Sequence, residues 1–100
     1  MGTYILMPKM TPEIPADLKR SEAVGKLCKK QVDKLCPDVK WRAHYALLGR
    51  YDFMDIYEAK NEETAAKVSL ISRANGALKA ESWPAIEWKR FVKLTKEIGI

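Results

Sequence analysis

Soft metal ligands are scarce in this chain, which holds one histidine, His44, and two cysteines, Cys28 and Cys36. The Cys-x7-Cys spacing matches no zinc pattern, and a histidine without a clustered second ligand makes a poor metal or heme site. No metal and no cofactor is therefore expected. On a straight helix the two cysteines would lie about 12 Å apart at 1.5 Å per residue, beyond the ~4.4–6.8 Å span of a disulfide. Both are read as free thiols, Cys28 in the core and Cys36 at a helix end. No apolar run approaches the ~20 residues of a membrane span. The opening Met1-Gly2-Thr3-Tyr4-Ile5-Leu6-Met7 lacks the basic start and long apolar stretch of an export signal. Leu6 also stands where a myristoylation signal after Gly2 requires Ser or Thr. A cytoplasmic protein without membrane attachment is expected. Arginine-rich runs, repeats and low-complexity tracts are missing too, as is any known nucleic-acid motif.

What is present is one domain, residues 1–100, with 47% apolar and 31% charged residues. That balance excludes a disordered chain and a multidomain enzyme. A chain of this length buries about 60–70% of its unfolded surface and has little room for a deep private pocket. The net charge of +5 admits an anionic partner, but spread lysines are more simply the solvated side of a helix.

Residues 3–10 alternate as a strand, made irregular at its end by Pro8. Asp17 caps a helix running to about Cys36, with Leu18, Val24, Leu27, Cys28, Val32 and Leu35 at helical spacing. Pro37 stops it. Residues 39–48 and 51–59 read as two strands joined by a two-residue Gly49-Arg50 turn, with Gly49 at positive φ. Asn61 caps a second helix, and Asn75-Gly76 ends it in a left-handed cap. Residues 77–83 form a fourth strand, and Pro84 opens a last helix whose apolar side is Trp88, Phe91, Val92 and Leu94. Hydrophobic closure by this helix is expected to cover Trp83 and Trp88. The order is the split β-α-β arrangement of ferredoxin-like folds, an α+β class with a four-stranded antiparallel sheet and two helices on one face. The other face is left bare, and such a face seeks a partner.

A two-residue turn sets the hairpin register: Leu48 faces Tyr51, Leu47 faces Asp52, His44 faces Asp55 and Arg42 faces Tyr57. Alternation then places Trp41, Ala43, Tyr45, Leu47, Asp52, Met54 and Ile56 against the helices. Arg42, His44, Ala46, Leu48, Tyr51, Phe53, Asp55 and Tyr57 would face a partner subunit or a cavity. His44 beside Asp55 is the strongest chemical constellation. A carboxylate fixes the imidazole tautomer and suits general acid–base work. The competing structural role is a cross-strand pair that holds register. Arg42, Tyr51 and Tyr57 could orient a small anionic or phenolic ligand. Asp52 could contact a ligand too, or bond backbone N–H groups around the hairpin.

The stretch Tyr45-Ala46-Leu47-Leu48-Gly49-Arg50-Tyr51-Asp52-Phe53 resembles the hairpin of the GYD-domain family. Glu58-Ala59, Asn61-Glu62-Glu63-Thr64-Ala65-Ala66, residues 76–83 and Ile86-Glu87-Trp88 extend the likeness over nearly the whole chain. Leu47 stands where the family often has Thr, and Asp55 and Tyr57 stand in a stretch that is usually apolar. The resemblance implies a dimeric α/β barrel, in which two ferredoxin-like sheets pack face to face. It implies fold more than function, since the wider group holds monooxygenases, isomerases, heme-handling enzymes and amino-acid-sensing domains.

Three functions follow as expectations. The first is a homodimer or higher oligomer that binds a small ligand or a partner without catalysis. The second is a small cofactor-independent enzyme, monooxygenase- or isomerase-like, using His44 and Asp55 as acid and base in an inter-sheet cavity. The third, disfavoured, is nucleic-acid binding through the lysine-rich first helix, which would weaken steeply with salt. The monomer is not expected to be stably populated.

Overall fold

Period-two alternation decides the first element. In the computed structural model, which describes residues 1–99, Gly2–Met10 forms β1. Its Tyr4 and Leu6 enter a buried cluster while Ile5 points to the opposite face. Asp17 opens α1 (Leu18–Leu35) by accepting the Arg20 N–H at 3.1 Å. The Cys36 N–H returns to the Val32 carbonyl at 2.7 Å, and Pro37 then bars another helical turn. β2 (Lys40–Ala46) and β3 (Phe53–Ala59) pair antiparallel. Asn61 caps α2 (Glu62–Ala74) by accepting the Thr64 N–H at 3.0 Å. Gly76, at φ +104°, then turns the chain into β4 (Ala77–Ala85). α3 (Trp88–Glu97) ends the described chain.

The sheet order is β2-β3-β1-β4 with every neighbour antiparallel. This is the ferredoxin-like α+β fold read from the sequence, with one added helix. Val32 of α1 and Ala65 and Val68 of α2 pack with Tyr4, Leu6 and Tyr57 of the sheet. Both long helices therefore cover the same face. Tyr57 is fully buried, stacked on Tyr4 at 5.7 Å and tilted against Trp41 at 5.6 Å.

Four local expectations are corrected. The hairpin loop is Leu48–Tyr51, closed by the Leu47 N–H to the Asp52 carbonyl at 2.9 Å, so it has four residues rather than two. Gly49 is not at positive φ, and a Cβ there would meet nothing. β4 runs through Pro84, and α3 begins only at Trp88. An edge strand tolerates that proline because it lacks an outer neighbour to bond. β2 also carries a bulge: Trp41 faces Tyr57, Ala43 faces Ile56, and Arg42 is the extra residue between them.

Apart from Trp41, which lies on the helix side as expected, the two sheet faces are also reversed from the expectation. Trp41, His44, Phe53, Asp55 and Tyr57 share the helix side with Tyr4 and Leu6. The bare side carries Ala43, Tyr45, Met54, Ile56, Ile5 and Trp83, an apolar band crossing all four strands. Tyr57 is thus a core residue and Phe53 packs, partly buried, against the Met10, Ile14 and Ala77 cluster, whereas Leu48 is exposed. α3 packs against no other element. It closes over nothing, and Trp88 stacks on Phe91 at 5.6 Å in the open. The radius of gyration, 15.0 Å, exceeds the ~13 Å of a compact 100-residue domain because this helix projects.

Candidate functional site

α1 touches the core through its C-terminal half. Toward its N-terminus the residues that line the space above the sheet include Ser21, Gly25 and Cys28, a small-residue run at helical spacing, beside Leu18 and Val24. A Cβ added at Gly25 would meet no atom within 4 Å. The helix therefore stands off the sheet and roofs a cavity of about 660 Å³. That volume lies within the range of small-molecule pockets. The walls are mainly apolar, with Leu6, Met10, Val24, Trp41 and Phe53 prominent.

His44 and Asp55 line the cavity from the sheet. They sit directly opposite each other in the β2–β3 ladder, and His44 Nδ1 bonds Asp55 Oδ1. The His44 ring also stacks on Phe53 at 5.6 Å and 20°. Asp55 forms the embedded end of the pair at 14% side-chain exposure, against 66% for His44. Burial pushes the Asp55 carboxyl above the ordinary aspartate value, and the His44 bond draws it partly back. Cys28 faces them from α1. Burial, and then the Asp55 charge, push its thiol up to about 11. At neutral pH it is a protonated, weakly nucleophilic group.

The other sequence-stated candidates are placed elsewhere, Arg42 excepted. Arg42 borders the cavity, but its guanidinium pairs with Glu58. Tyr51 reaches across to β4, where its hydroxyl donates to Glu81 and its ring meets Trp83 edge-on at 6.2 Å. Tyr57 is sealed in the core with its hydroxyl 2.8 Å from Ser82 Oγ, and burial raises that phenol to about 12. Asp52 completes the edge of β1 beyond the end of β3. Its N–H donates to the Pro8 carbonyl at 3.1 Å, and its carboxylate accepts the Met10 N–H at 2.7 Å. Lys9 Nζ lies 3.5 Å from the same carboxylate. Asp52 thus bonds backbone, as one of the two readings held, but on the neighbouring strand rather than within its own hairpin.

The His44–Asp55 pair lies between α1 and the sheet of one subunit, not in a space between two sheets. The reversal of faces is the physical reason. What sequence reasoning missed is the small-residue run of α1. Trp41 stands on the helix side as expected, but only because the Arg42 bulge separates it from Ala43 and Tyr45, whose face is reversed. The Ser21, Gly25, Cys28 spacing was the available signal for the gap.

Both cysteines are free. Among the described residues no three His, Cys, Asp or Glu side chains gather as a metal-ligating group, and no helix is long and apolar enough to cross a membrane. No curated protein matches the chain significantly. The family model of the GYD domain matches residues 4–95. That span runs from β1 into α3 and takes in the hairpin, the cavity walls and the Asp52 clamp, and the chain belongs to the GYD-domain family.

Proposed function

We propose that this protein binds a small, largely apolar molecule in the cavity between α1 and the sheet, and works as a homodimer in the cytoplasm. The single observation that carries the binding reading is the cavity itself, lined mainly by apolar side chains with the His44–Asp55 pair among its polar groups. Pockets with apolar walls and a few convergent polar groups are where ligands are held and oriented. The dimer reading draws support from the apolar band on the bare sheet face and from the uncovered Trp88 and Phe91. Two free thiols, one of them buried, fit a reducing compartment.

The binding reading is tested by filling the gap. Gly25→Leu places a side chain in open space and favours the helix, since glycine is a poor helix former. A set of neutral bicyclic aromatics is scanned by thermal shift against the wild type and this variant. The wild type should gain several degrees with at least one compound, and the variant should gain nothing. Equal responses, or none in the wild type, would defeat the proposal.

A second reading, catalysis, is favoured by the hydrogen bond between His44 and Asp55. Asp55 would orient the ring and stabilise its charged form while His44 moves a proton. Turnover of any substrate that survives loss of both groups would remove this mechanism.

A further inference from the structure

The charges around the cavity select the ligand further, and this step rests on the binding reading above. Three cationic side chains border the cavity: Lys26, Lys29 and Arg42. Each already holds a carboxylate. Lys26 Nζ lies 2.9 Å from Glu22, Lys29 Nζ lies 3.1 Å from Asp33, and Arg42 pairs with Glu58. Two carboxylates, Glu22 and Asp55, are themselves among the lining residues. An anionic ligand would thus meet no unpaired cation and would approach Asp55 in a partly desolvated site. Of the anionic or phenolic ligand that Arg42, Tyr51 and Tyr57 were expected to orient, the pairing of Arg42 with Glu58 and the burial of Tyr57 disfavour the anion and those anchors.

His44 sets the remaining condition. Its Nδ1 is engaged by Asp55, so in the neutral ring the proton sits on Nδ1 and Nε2 carries a lone pair. Nε2 has no hydrogen-bond partner among the described residues. His44 lines the cavity, and stacking on Phe53 sets its ring plane. The walls beside it include the aromatic side chains of Phe53 and Trp41.

We infer that the cavity takes a neutral planar aromatic molecule bearing a hydroxyl group, a phenol or naphthol, whose O–H donates to His44 Nε2. The aromatic body fills the apolar space between α1 and the sheet, and the hydroxyl supplies its one directional bond.

Three probes of equal ring size separate the possibilities: 2-naphthol, which donates; 2-methoxynaphthalene, which cannot; and 2-naphthoate, an anion at pH 7. Isothermal titration of the full chain should show 2-naphthol binding about tenfold tighter than the methyl ether, the scale of one hydrogen bond. 2-Naphthoate should bind most weakly. In His44→Phe the naphthol advantage should vanish while the methyl ether keeps its wild-type affinity, which also shows that the variant is folded. Equal binding of naphthol and ether in the wild type would overturn the hydroxyl assignment and leave the cavity as a binding site. Preferential binding of naphthoate would overturn the exclusion of anions. Binding of none of the three would overturn this inference together with the binding reading it rests on.

Discussion

At the scale of single residues, two glycines that look alike in sequence behave differently. Gly76 sits at φ +104°, and a Cβ there would collide with Ile14 Cδ1. Gly49 has neither constraint. Gly76→Ala should therefore destabilise by about 1–3 kcal/mol, since it adds strain and a core clash. Gly49→Ala should stay within about 0.5 kcal/mol of the wild type. Urea denaturation of both variants checks this, and a large loss at Gly49 would contradict it. Asp55 gives a prediction with a sign. Its folded value lies above the ordinary 3.8, chiefly through burial. The folded state therefore holds the proton more tightly than the unfolded state does. The stability this contributes is complete below the unfolded value and is lost as pH rises through the folded one. Asp55→Asn has no such loss. Its stability relative to the wild type should climb as pH rises from about 3.8 through the folded value and then level off. Parallel stability curves for the two proteins would refute the buried, raised carboxyl. The His44–Asp55 pairing was legible in sequence because a hairpin register propagates from its turn. Even with the turn misjudged by two residues, the pair stayed opposite, since lengthening the loop inward leaves the outer register unchanged.

Among elements, the hairpin that carries the family motif stabilises a strand other than its own. Asp52 stands just before β3, and its carboxylate takes the place of a ladder carbonyl for the Met10 N–H of β1. Met10 is buried, at 5% exposure. Asp52→Ala leaves that N–H without a partner and should cost about 1–3 kcal/mol. Asp52→Asn keeps an acceptor and forfeits chiefly the Lys9 charge interaction, which is worth little near solvent. The alanine variant should therefore unfold at clearly lower urea than the asparagine variant. A reversed order would mean that charge, not the backbone bond, is what matters. The elements themselves were readable from caps and breakers: Asp17, Pro37, Asn61 and Gly76 all act where their chemistry places them. The sheet faces were not readable. Alternation sorts residues into two sets but does not say which set the helices cover. The more apolar set looked like the core, yet the helix side tolerates His44 and Asp55 because α1 leaves space above them. The single extra residue at Arg42 then moved Trp41 across from the Ala43 and Tyr45 set, a phase shift that the mixed sequence of residues 40–46 does not display.

On the scale of the whole molecule, the described chain leaves an apolar band uncovered, and the proposed homodimer would cover it. Tyr45 and Trp83 on the bare face are 52% and 43% exposed, and Trp88 on the projecting α3 is 71% exposed. Ile5 and Ile56 lie between them at the centre of the sheet. Contiguous apolar surface of this kind marks an interface, and a sheet face has room for the ~800 Å² per partner of a stable one. Two copies meeting face to face would bury the band on both sides under a two-fold axis. A lysine at the centre of that contact would be buried without a counter-charge. Ile56→Lys should therefore weaken dimerisation roughly 100-fold or more. Leu48→Ser, in the fully exposed hairpin loop, should leave it unchanged. Because α3 packs on nothing within its own chain, Trp88→Ser should leave the core spectroscopically intact. If α3 crosses onto the partner, that variant will weaken the dimer; if it does not, the dimer will match the wild type. Sedimentation velocity at micromolar concentration reads all three variants on one scale. A folded wild-type monomer under those conditions would mean that the apolar band is stable in water, and the face-to-face dimer would have to be given up.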